Sequence, residues 1–146
     1  MSDYRGDVAQ VADIIRNTFI VPAEDIQRVL AAVQDEFTVI LYKPQPIDNM
    51  GYSGHLFQVW AKDGIKAEIQ VNTPQMIYAK EPAAKAILGD ELYRTIRKES
   101  GLQCGLGHKY YEEYRILSKA EKQSGKGIEL QRKSQEYYGR IQAVKL

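Results

Sequence analysis

A chain of 146 residues, 44% hydrophobic and 27% charged, can bury a core without staples, and its length sets a prior of one domain, 1–146. Its single cysteine, Cys104, excludes an internal disulfide and a multi-cysteine zinc site, a usage compatible with a reducing cytoplasm. A net charge of +1 argues against a strong global pull on nucleic acid, no apolar run approaches the ~20 residues that cross a membrane, and the opening MSDYRGDVAQ lacks the basic-then-apolar pattern of a secretory signal.

In chain order, Val8, Val11, Ala12 and Ile15 form one stripe and predict a helix over about 6–15. Thr18–Val21 reads as a short buried strand. Pro22 then opens a helix with Glu24 and Asp25 in its first turn and Ile26, Val29, Leu30 and Val33 at helical spacing. Thr38–Tyr42 is a second strand. Two prolines with Asp48 and Asn49 predict a loop from Lys43 to Met50. Two more strands flank Lys62-Asp63-Gly64. Thr73 caps a helix whose first residue is Pro74 and which resumes, after Pro82, to Leu88. Asp90–Glu99 is helical, glycines 101, 105 and 107 mark a flexible connection, and helices follow over His108–Gln123 and from Ile128 to about Val144. The sum is an α+β domain, a mixed sheet of about four strands flanked by helices. Residues 118–146 form a basic helical extension with an excess of four positive charges. It reads as a solvated helix face, with a phosphate or RNA contact as the sharper alternative.

The central hairpin carries the most chemistry. A three-residue loop with glycine in the left-handed position pairs Trp60 with Lys66, Gln58 with Glu68 and Leu56 with Gln70. Alternation then sends Phe57, Val59, Ala67, Ile69 and Val71 to the core and gathers Tyr52, Gln58, Glu68 and Gln70 on a polar face. Such a face is a solvated surface or a site: a carboxylate can hold a metal or a proton, and a tyrosine can stack on a base. Elsewhere, His55 and His108 lack a third ligand at metal spacing, Cys104 lacks a partner base, and Tyr110, Tyr111 and Tyr114 read mainly as packing.

Gly51-Tyr52, then AEIQVNT about fifteen residues later, then GHKYYEEYR together resemble the RelA/SpoT family of nucleotide pyrophosphokinases over roughly residues 10–115. The resemblance implies a nucleotidyltransferase-like fold, Mg²⁺, and transfer of pyrophosphate from ATP to a ribose 3′-hydroxyl of a guanine or adenine nucleotide. This yields alarmones such as (p)ppGpp, and toxin relatives act on tRNA. It also implies Tyr52 as the base-stacking residue and Glu68 and Asp13 as catalytic and metal-binding carboxylates. Gln70, Gln58, Lys43 and Arg16 would contact substrate. A cytoplasmic toxin with a protein antitoxin fits the same likeness. The chain departs from the family pattern in three places: only Arg5 is basic ahead of Asp13, and Leu56 and Asn72 stand where the family has a histidine and an arginine. The alternative is thus a catalytically degenerate or truncated relative that binds a nucleotide or a protein.

Overall fold

The computed structural model describes residues 15–62 and 64–146; Asp13 and, apart from Ile15, the helix expected over 6–15 lie outside them. The chain divides into two compact units, one running to Gln45 and including Gly54–Asn72, the other formed by Pro46–Ser53 with Thr73–Leu146.

The first unit is a four-stranded mixed sheet. Its strands are β1 (Arg16–Ile20), β2 (Thr38–Gln45), β3 (Gly54–Trp60) and β4 (Lys66–Asn72), in the order β1-β4-β3-β2. β1 runs parallel to β4, and the other pairs are antiparallel. After β1 a single 3-10 turn (Ala23–Asp25) leads into α1 (Ile26–Glu36), so the helix that follows Pro22 begins a turn later than its sequence suggests. Leu30 and Val33 of α1 pack with Phe57, Val59, Ala67, Ile69 and Val71. Phe57, Val59 and Val71 are wholly buried, each worth about 1.5–3 kcal/mol relative to exposure. The hairpin register is the expected one, with Trp60 opposite Lys66, Gln58 opposite Glu68 and Leu56 opposite Gln70.

β1 and β2 differ from expectation. β1 starts at Arg16 rather than Thr18, because parallel pairing with β4 recruits the two polar residues ahead of the apolar run. β2 continues to Gln45, so Lys43 is a strand residue and not a loop residue; Pro44 is tolerated because β2 is an edge strand in the sheet order. β2 also carries a bulge. Val39 pairs with Val59 and Leu41 with Gln58, leaving Ile40 without a partner.

The second unit is helical: α2 (Pro74–Lys80), α3 (Ala84–Leu88), α4 (Asp90–Ser100), α5 (Leu106–Arg115), α6 (Lys119–Gln123) and α7 (Gly125–Gln142). The Thr73 side chain caps α2 by accepting from the Met76 N–H at 3.2 Å. Met76, Tyr78, Ile96, Tyr137, Tyr138 and Ile141 form the core, so α7 keeps its lysines and arginines outside while its tyrosines close the interior. Tyr78 donates to the Leu102 carbonyl, and burial pushes its phenol up to about 12. The helix expected over His108–Gln123 is two. Ser118 and Glu121 form a capping box that satisfies two N–H groups, those of Ser118 and Glu121, and restarts the chain as α6. Gly107 lies inside α5 rather than in a flexible connection. Among the described residues no helix is long and apolar enough to cross a membrane.

Candidate functional site

Register places the sheet half of the site. Across the sheet, Leu41, Gln58, Glu68 and Arg16 form one row, and Lys43, Leu56, Gln70 and Thr18 form the next. Directly paired residues share a face, so Arg16, Lys43, Gln58, Glu68 and Gln70 all stand on the side opposite α1. The bulge makes this possible for Lys43. Val39 and Tyr42 both belong to the core cluster, and the extra residue between them shifts the alternation so that Leu41 and Lys43 face the other way.

Glu68 is only 7% exposed. A buried carboxylate needs a charged partner, and Arg16 supplies it: its Nε lies 2.7 Å from Glu68 Oε1. Gln70 Nε2 donates to the same oxygen at 3.4 Å, and the Thr18 hydroxyl donates to Gln70 Oε1 at 3.3 Å. This chain of bonds fixes Gln70 with its amide nitrogen toward Glu68. Both contacts fall on Oε1, which among the described residues leaves Oε2 free. No cluster of three or more His, Cys, Asp or Glu side chains suited to a metal occurs among the described residues.

His55 pairs with Val71 and so faces the core side, away from Glu68. Its ring stacks on Tyr42 and its Nδ1 lies 2.9 Å from the Tyr42 hydroxyl. Burial lowers its pKa, which favours the neutral imidazole.

Tyr52 is not part of the sheet face. β3 begins only at Gly54, and Tyr52 sits in the 46–53 loop of the helical unit. Asp48 Oδ1 accepts from the N–H groups of Met50 and Tyr52 at 2.8 and 3.0 Å, an Asx-type turn that folds the loop on itself. The Ser134 hydroxyl donates to the Met50 carbonyl and the Gln135 amide to the Asn49 carbonyl, at 2.6 and 2.7 Å, tying the loop to α7. Gly51 has φ +94°, and a Cβ there would stand 3.0 Å from Tyr138 Cβ. A Cβ on Gly107 would come within 2.2 Å of the Tyr138 hydroxyl. Tyr138 is therefore seated between two glycines, with its phenol held neutral by burial.

Around this seat lies a cavity of about 240 Å³ lined by Asp48, Met50, Tyr52, Lys80, Gly107, His108, Tyr111 and Tyr138. The Tyr52 ring meets Tyr138 edge-on, and the Lys80 ammonium sits 5.1 Å from the Tyr52 centroid. The volume is below the 300–1,000 Å³ typical of whole-ligand clefts and suits one flat ring system. Sequence reasoning found Tyr52 but not Lys80, His108 or Asp48. The D-x-x-x-Y spacing of the Asx turn is the one local signal that could have pointed there.

These two surfaces, a sheet-borne Glu68 and an aromatic cavity behind a Gly-Tyr turn, frame the comparison with known proteins. The (p)ppApp synthetase toxin Tas1 of Pseudomonas aeruginosa (strain UCBPP-PA14) is 36% identical over 142 residues, 96% of this chain. The crystal structure of the complex between the Type VI effector Tas1 and its immunity protein contains a chain that matches with a TM-score of 0.78 and 36% identity, covering 96% of this chain and 72% of that one. The chain belongs to the RelA/SpoT-like family. The mixed sheet with flanking helices is the fold of this RelA/SpoT-like relative, as the resemblance of the Gly-Tyr and Glu-Ile-Gln segments implied. The chain spans about a third (32%) of the length of the curated Tas1 protein. No protein-family model matches the sequence.

Proposed function

We propose that this RelA/SpoT-like chain is a synthetase domain that moves pyrophosphate from ATP to the ribose 3′-hydroxyl of a nucleotide, releasing AMP. The likeness to a (p)ppApp synthetase favours an adenine nucleotide over a guanine nucleotide or tRNA as acceptor. The observation that carries the reading is Glu68, a buried carboxylate on the sheet face opposite α1 with Arg16, Lys43 and Gln70 beside it. Pyrophosphoryl transfer is mainly positioning and charge neutralisation, and this face has groups for both. Arg16 and Lys43 supply positive charge toward phosphates. Glu68 accepts the hydroxyl proton or serves a metal, and Gln70 and Gln58 orient the substrate.

Magnesium takes few protein carboxylates and keeps water and phosphate oxygens as its other ligands. Oε2 of Glu68, free among the described residues, fits that demand, with Asp13 as the proposed second carboxylate. When bound, the ion supplies positive charge to the triphosphate.

In the helical unit, Tyr52 is the proposed platform for the acceptor base. Exchanging the Lys80 ammonium over its ring for a base gives up about 0.5–1 kcal/mol and gains about 1–3 kcal/mol. The released lysine can then meet a phosphate. The toxin setting, cytoplasmic action and a protein antitoxin are proposed on the same likeness, since Tas1 is a toxin crystallised with an immunity protein.

One observation favours the second reading, a degenerate nucleotide-binding module: Arg16 already occupies the catalytic carboxylate. Incubation with labelled ATP and AMP, ADP, GDP, GTP or tRNA separates the two. Transfer that disappears in Glu68→Gln is the expected result. Nucleotide binding without transfer to any acceptor sinks the synthetase reading, and transfer that survives Glu68→Gln sinks the site.

A further inference from the structure

Resting on the synthetase reading, two nucleotides must bind, and the cavity around Tyr52 accounts for one base. The face that carries Glu68 has its own aromatic group. Trp60 pairs with Lys66 on β4 and Thr38 on β2, one step along the sheet from the row of Leu41, Gln58, Glu68 and Arg16. Trp60 and Glu68 are thus diagonal neighbours across β3 and β4, a separation of about 7–8 Å that aromatic and long side chains bridge. Trp60 is the one aromatic side chain on that face among the described residues, and it is 42% exposed. Leu41 beside it is 48% exposed. An exposed apolar strip so close to a buried carboxylate is what a base with an attached phosphate chain requires. Lys66, with its ammonium 5.5 Å from the indole centroid, shows that the ring offers a face to a flat or cationic partner.

We propose that Trp60, with Leu41 at its side, is the binding platform for the donor purine, and that Lys66, Arg16 and Lys43 line the path of the donor's phosphates across the same face.

A cross-strand tryptophan–lysine pair also steadies a hairpin, so the test reads binding and not stability. Trp60 is the chain's single tryptophan, and its emission reports on this position alone. Titration with ATP should quench that emission saturably, whereas inorganic tripolyphosphate, which has the charge without the base, should not. Trp60→Leu should raise the KM for ATP roughly 5- to 100-fold with little change in kcat or in the acceptor KM, and Trp60→Phe should recover most of the loss. Unchanged emission under ATP concentrations at which radiolabelled ATP is bound overturns the platform, as does a Trp60→Leu enzyme with the parent's KM. Should Trp60→Leu not fold, the emission titration and Trp60→Phe still decide. Quenching by ATP in a chain that transfers nothing keeps the platform and removes the synthetase reading. Transfer with no quenching and no effect of Trp60→Leu does the reverse.

Discussion

The two units place their functional groups by different physics. In the sheet unit, position follows from pairing. Once β3 and β4 are in register, Glu68, Gln70 and Gln58 have no choice of face, because a slip by one residue would send Phe57 and Ile69 into water. In the helical unit, position follows from close approach. The cavity exists because Gly51 and Gly107 leave room for Tyr138, and because Asp48, Ser134 and Gln135 tie down the loop that carries Tyr52. The first arrangement keeps its side chains on the same faces under any substitution that preserves alternation. The second is sensitive to single atoms.

The largest expected effect tests the pairing-built half. Glu68→Gln keeps the shape and removes the charge, and transfer should fall about 100- to 10,000-fold in a labelled-ATP assay while the unfolding midpoint moves little. In the helical unit, Tyr52→Leu should raise the acceptor KM about 5- to 100-fold and leave the ATP KM alone; equal effects on both substrates would break the division of labour. Gly107→Ala drives a methyl into the Tyr138 hydroxyl and should cost about 1–3 kcal/mol in urea unfolding. A stable Gly107→Ala protein would mean that the seat of Tyr138 is not tight. The smallest effect returns to the sheet. Burial lowers the His55 pKa in the folded state, so below its ordinary 6.5 the unfolded chain binds a proton that the folded chain resists. Stability contributed by neutral His55 is full above 6.5 and is lost as pH falls through the lowered value. His55→Gln should flatten the fall of stability as the pH drops below about 6.5.

The same contrast explains what a reader of the sequence can see. The hairpin register, its core face and the grouping of Gln58, Glu68 and Gln70 follow from alternation and a glycine turn, and they are observed. The face of Lys43 does not follow, since nothing in Thr38–Gln45 announces that Ile40 goes unpaired. The seat of Tyr52 does not follow either. It depends on residues near 50, 80, 107 and 138, which no local pattern joins. The break between α5 and α6 is an intermediate case. Ser118 and Glu121 carry a readable capping signal, but the helical spacing of the tyrosines before it masks the stop.

Ile40 bears on how such a surface can change over time. Gaining or losing one residue at this point inverts the orientation of everything from Leu41 to Gln45. A lysine would then leave the neighbourhood of Glu68, and Tyr42 would take its side, with no substitution anywhere in the chain. The charge presented beside the carboxylate is therefore a property of spacing as much as of residue identity. Relatives that look alike letter by letter along β2 can present opposite surfaces if they differ there by a single insertion.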